Sequence, residues 1–235
     1  MRRPLAVLSV SFLALLAVAV SLPAEPVVAD GADGGPMLEV VIDEVASAGA
    51  IAAASKAVSD HASGLPGFVR TDVATVKGTP QRLLRATVWD SVRSTEAASL
   101  ACDGHAAQKA LDGATVPARR QRRFFRRLRS VEYAKAPTGH LEVTLYRTKV
   151  GTTREANLAR FDKAEADFAK ADGILAHSMW IAPDGLWAHV VHWASEDAFK
   201  KTGKALMGTK GVGGWIRSLD FKRFKVWKGD TLPSR

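Results

Sequence analysis

The chain has 235 residues, with 33 Lys and Arg against 24 Asp and Glu, a formal charge of +9, 47% hydrophobic residues and one cysteine. That length fits one large domain or two small ones, and the ordinary apolar and charged fractions exclude a disordered, collagenous or coiled-coil chain. One cysteine excludes an intramolecular disulfide framework and a cysteine-based zinc cluster, while the positive charge favours an anionic partner without specifying a fold.

Arg2 and Arg3 precede an apolar run from Leu5 to Leu22, and small residues follow at Ala24 and Ala29. A positive start, an apolar middle and a small-residue exit form the pattern of a secretory signal. Residues 1–29 therefore read as a signal peptide and 30–36 as a linker, which predicts a secreted or periplasmic protein. A retained membrane anchor is the competing reading, because the run is nearly long enough to span a bilayer.

Beyond the linker, two stretches read alike. Leu38–Asp43 and Leu141–Tyr146 alternate apolar and polar residues, the period of a half-buried strand. A helix follows each, Ala-rich with Ile51, Val58 and Leu65 in the first stretch and amphipathic with Leu158, Phe161 and Phe168 in the second. Gly67 and Gly173 stop these helices and precede a strand. Lys77-Gly78-Thr79-Pro80 and Ala182-Pro183-Asp184-Gly185 are turn signals. The returning strands end in Val88-Trp89-Asp90-Ser91 and His192-Trp193-Ala194-Ser195, where Ser suits a helix N-cap. A second helix and a last strand complete each unit, the strands near Leu128–Tyr133 and Phe221–Trp227. The Gly-rich Lys210–Gly214 does not follow a strand and reads as a helix break rather than a phosphate loop. Each unit, 37–136 and 138–230, is thus β-α-β-β-α-β, the ferredoxin-like order, and the fold class is α+β.

The succession of strand, helix, Leu65-Pro66-Gly67-Phe68, hairpin and a strand-end Trp-x-Ser heading an Ala-rich helix resembles the antibiotic biosynthesis monooxygenase-like family, once per unit. The resemblance implies the dimeric α+β barrel, which a fused tandem would build within one chain as a monomer with an internal pseudo-dimer. It also implies a cofactor-independent monooxygenase acting on a small apolar or aromatic, quinol-like molecule. A non-enzymatic small-ligand-binding or envelope stress protein is the alternative. The haem-degrading branch of the resemblance is disfavoured, because the Asn, Trp and His it requires have no counterparts at the matching positions.

Alternation predicts that Leu38, Val40 and Ile42, with Leu141, Val143 and Leu145, pack under the helices. The mixed set Glu39, Asp43, Arg85, Glu142, Tyr146 and His189 would then look toward the partner sheet, either as a satisfied polar network or as a ligand lumen. Six aromatic or histidine residues gather in the second unit, among them Trp180, His189, His192 and Trp193. His192 and His189 are the candidate bases, with His105 a further candidate that also suits a capping or surface role. Trp193, Trp180, Trp89 and Tyr146 are candidate substrate walls, unless the indoles simply fill the core. His189 and His192 lie three apart on one strand and face opposite sides, so no metal site is expected, and no cofactor.

Residues 119–129 hold seven arginines around Phe124 and Phe125. They predict an exposed basic patch between the second helix and the last strand of the first unit, with one Phe as an anchor. An anionic lipid or cell-wall polymer suits such a patch in an exported protein. No nucleic-acid fold accompanies it.

Overall fold

The computed structural model describes residues 35–232, apart from 46–47, 80, 103–104 and 117–118. The proposed signal and nearly all of the linker lie outside the described residues. The first half comprises β1 (Met37–Glu44), α1 (Ala48–Ser63), β2 (Phe68–Thr75), β3 (Arg82–Trp89), α2 (Val92–Cys102), α3 (Ala106–Ala114) and β4 (Gln121–Glu132). The second comprises β5 (His140–Tyr146), α4 (Arg154–Phe168), β6 (Ile174–Ile181), β7 (Trp187–Trp193), α5 (Glu196–Met207), α6 (Lys210–Ile216), a 3-10 turn at Phe221–Arg223 and β8 (Lys225–Asp230).

The strands form one antiparallel sheet in the order β2-β3-β1-β4-β6-β7-β5-β8. Its outer strands meet through the Ala74–Thr231 bridge and a hydrogen bond of 2.7 Å from Leu232 N to Val73 O. The sheet therefore curls into an α+β barrel, each half a ferredoxin-like unit, and the halves join edge to edge at β4–β6 rather than only face to face. Their registers match. Met37 faces Trp89 as His140 faces Trp193, and irregularities fall at Phe68/Arg70 and at Ile174/Ala176. Arg85 and His189 consequently hold corresponding places, as do Val88 and His192. Ser91 and Ser195 cap the helices behind their tryptophans, accepting from Ser94 N and Ala198 N at 3.1 Å.

The two faces of the sheet are the reverse of the expectation. Leu38, Val40, Ile42, Leu141, Val143 and Leu145 join Phe125, Trp180 and Trp227 from both halves in a cluster that fills the barrel. The mixed face lies under the helices instead. The barrel interior offers few polar partners, so the purely apolar alternate goes there. Helices and their ends can satisfy carboxylates and guanidinium groups.

Three further expectations are corrected. The arginine run is not a separate segment before a short last strand: from Gln121 onward it belongs to β4, with Arg119 and Arg120 just ahead of the strand and Phe125 fully buried. The second helix of each half is two helices, α2 with α3 and α5 with α6. Lys210–Gly214 is the start of α6, not a break: Asp167 Oδ2 accepts from Gly211 N at 2.9 Å and Val212 N at 3.1 Å. A side chain at Gly211 would meet that carboxylate, so glycine permits the close approach of α4 and α6.

Candidate functional site

The mixed face of the first half borders a cavity of about 150 Å³ beneath α1, α2 and α3. It exists because the helix above it carries small side chains. Counting back from Gly67 and Gly173, Ser55 and Ala62 of α1 stand where α4 carries Phe161 and Phe168. In the second half those two rings, with Tyr146, Trp187 and Trp215, fill the space between sheet and helices.

Trp89 forms one wall of the cavity, with Phe68 edge-on at 5.9 Å. Its indole N–H donates to Glu39 Oε2 at 3.4 Å, and Arg122 Nε donates to Glu39 Oε1 at 2.7 Å. Arg122 also reaches Ser99 Oγ at 2.6 Å. Arg120 bridges Asp43 and Asp112, donating at 2.5 and 2.7 Å. These contacts correct the expected basic patch: Arg120 and Arg122 are clamps onto β1 carboxylates, and Arg119 pairs with Glu44. Arg123, Arg127 and Arg129 are exposed, the last paired with Asp162 at 3.1 Å.

Arg85 differs from these clamps. It lines the cavity and is only 7% exposed. Among the described residues no hydrogen-bond or ion-pair partner engages its guanidinium, and Nη1 is fully occluded. A buried donor set without an acceptor is costly, so the cavity presents an unmet demand for an oxygen acceptor.

The residues expected to carry chemistry are dispersed. Trp89 alone among them lines this cavity. His189 sits under the second-half helices, with the rings of Phe161, Phe168 and Trp215 within 5.6 Å. It bonds His177 at 3.2 Å, and His177 bonds Glu165 at 2.8 Å. Burial, then the neighbouring His177, holds His189 well below the usual imidazole range. Trp193 packs in the same layer against Phe199 at 5.6 Å. Tyr146 donates to Met179 Sδ at 3.1 Å and is pushed up by burial. Trp180 faces the barrel interior and donates to Ser178 Oγ at 2.7 Å.

His192 closes one end of the barrel. Its Nε2 accepts from Arg70 Nη2 at 2.8 Å, and Nδ1 is 3.1 Å from Thr138 Oγ1, the tautomer that satisfies both. Burial, then Arg70, holds its pKa down to about 3, so it is neutral. His105 caps α3, accepting from Ala107 N at 3.2 Å, and stacks on His61.

No protein-family model matches the sequence, and no curated protein matches it. Solved structures do. A candidate monooxygenase from Fusobacterium nucleatum superposes with a TM-score of 0.67 at 11% identity, covering 85% of this chain and 94% of that one. An anthrone oxidase-like protein gives 0.60 at 10% identity, covering 86% and 93%. A ferredoxin-fold protein related to antibiotic biosynthesis monooxygenases, from Listeria monocytogenes, gives 0.51 at 11% identity, covering 86% and 98%. The resemblance read from the sequence thus holds at the level of fold, the ferredoxin-like dimeric α+β barrel.

Proposed function

We propose that the protein is a monooxygenase-like oxidoreductase that takes a small aromatic or quinol-like molecule into the first-half cavity and oxidises it without a bound cofactor. The observation that carries this reading is Arg85, buried beside Trp89 with no partner among the described residues, in the cavity of a fold shared with an anthrone oxidase-like protein. Arg85 would hold the oxyanion of a deprotonated substrate, in the manner of preorganised charge stabilisation. Water takes the substrate's proton, the electron-rich carbon bonds O2, and the resulting peroxide takes a proton back from water. Loss of water leaves a carbonyl, so one oxygen atom enters the product, the other leaves as water, and the substrate supplies the electrons. No histidine is among the residues lining this cavity, which shifts the part played by the chain from base to oxyanion holder.

That same lack of a lining imidazole favours a second reading, small-ligand binding without turnover. An oxygen electrode with a panel of single-ring quinols and polyphenols separates the two. Uptake that is abolished by Arg85→Leu and kept by His189→Ala supports the oxidase. Binding without uptake across the panel supports the carrier.

The halves read as copies of one fused unit, on the support of their common register. Arg2-Arg3 and the apolar run behind them favour export to a secreted or periplasmic location. Sequencing the N-terminus of the protein recovered from culture tests the latter.

A further inference from the structure

Resting on the reading that the first-half cavity binds a small molecule, we propose that its ligand is a single-ring aromatic acid or phenolate, one per chain, its anionic oxygen on Arg85 and its ring on Trp89. Size is the first argument. The cavity measures about 150 Å³, and an engineered apolar cavity of that volume holds benzene. It accommodates one ring, without room for a second fused to it.

Charge is the second. Of the three guanidinium groups at the cavity, Arg122 is paired with Glu39 and Arg120 with Asp43. Asp112, a further partner of Arg120, also lines the cavity, but it is 42% exposed and water screens its charge. The inner groups therefore carry one positive charge more than they can pair, and it sits on Arg85. A planar guanidinium fits a carboxylate or phenolate better than an uncharged amide. Stoichiometry is the third. At the corresponding place in the second half His189 replaces Arg85, and Phe161 and Phe168 occupy the volume, which leaves one such site among the described residues.

Ala62 and Val58 of α1, with Ala98 of α2, form the apolar roof, so Ala62 sets the size limit. Its replacement by the residue found at the matching place in α4, Ala62→Phe, fills the cavity.

The experiment is titration calorimetry of the full chain with benzoate, benzamide and naphthoate, none of which needs turnover. Benzoate is expected to bind with a stoichiometry of one. Benzamide and naphthoate should each bind at least tenfold more weakly. Arg85→Leu should weaken benzoate at least tenfold and leave benzamide unchanged, which also shows that this variant is folded. Arg85→Lys should keep part of the benzoate affinity, and Ala62→Phe should abolish it. Benzamide equal to benzoate overturns the charge argument, and naphthoate equal to benzoate overturns the ring limit. Two equivalents bound, no binding, or binding indifferent to both Arg85 and Ala62 overturns the site. Benzoate binding without oxygen uptake on any quinol would remove only the oxidase reading and leave this inference standing.

Discussion

Arg85→Leu should stabilise the protein while depriving it of its ligand. The guanidinium is 7% exposed and has no partner among the described residues. Burying an ion costs several kcal/mol even after relaxation. Val41 of β1 lies opposite Arg85, so Glu39 and Asp43 flank it diagonally. At roughly 7–8 Å and an effective dielectric near 20, each carboxylate returns about 2 kcal/mol. Arg122 and Arg120, paired with those same carboxylates, oppose the return by repelling Arg85. The variant also adds apolar burial. A net gain of about 1–2 kcal/mol is expected, which raises Tm by about 2–4 °C per kcal/mol for a chain of this size. Thermal and urea unfolding, in the absence of aromatic acids, measure it. A loss of more than about 1 kcal/mol would refute the reasoning, since it would mean that the native fold already satisfies this cation.

Other perturbations have equally definite outcomes. Gly211→Ala should cost about 1–3 kcal/mol in urea unfolding, because its Cβ would meet Asp167 Oδ2 at 2.4 Å and Lys163 O at 2.8 Å. Arg122→Ala should cost about 1–3 kcal/mol, as it leaves buried Glu39 without its cation. His192, held down to about 3, should show ring resonances that do not titrate from roughly pH 8 to roughly pH 5. Its folded pKa lies below the unfolded value near 6.5, so its contribution to stability is full above about pH 6.5 and is lost as pH falls toward 3. His177 and His189 act in the same sense, while Asp72 and Glu142, raised by burial, act in the opposite sense from the ordinary carboxylate range upward. The urea midpoint should therefore drop as pH is lowered from about 6.5. Finally, the exposed Arg123 and Arg127 should bind the protein to anionic vesicles at low salt and release it at moderate salt, with neutral vesicles inert; equal binding to both kinds leaves a merely solvated edge.

Much of the fold is legible because it depends on local chemistry. Strand alternation, the Pro183-Asp184-Gly185 turn and the Ser195 cap all lie where the residues place them. What alternation does not carry is which of two faces turns inward. Leu38 and Glu39 define opposite sides of β1, and only the closure of the barrel decides that Leu38 is enclosed by strands from both halves. The arginine run conceals a strand for a similar reason. Its seven positive charges suggest solvent, yet alternate members such as Arg120 and Arg122 find Asp43 and Glu39 one strand away, and those contacts are distant in sequence.

The site is less legible. Arg85 stands alone in the otherwise uncharged run Leu83–Trp89, and its alignment with His189 follows from the matching strand-end tryptophans, four residues beyond each. The cavity itself is a lack of volume. It becomes visible only when Ser55 and Ala62 are set against Phe161 and Phe168, which requires the two helices to be in register. The dense aromatic and histidine set of the second half draws attention because it is large, and it is large because it packs.

The most direct measurement is a crystal structure of the full chain soaked with 4-hydroxybenzoate. A single ring bound between β3 and α1, flat against Trp89 with its carboxylate or phenolate on Arg85, and no occupancy beside His189, is the predicted result. Density at the barrel end against Arg70 and His192, or among Phe161, Phe168 and His189, would contradict the account.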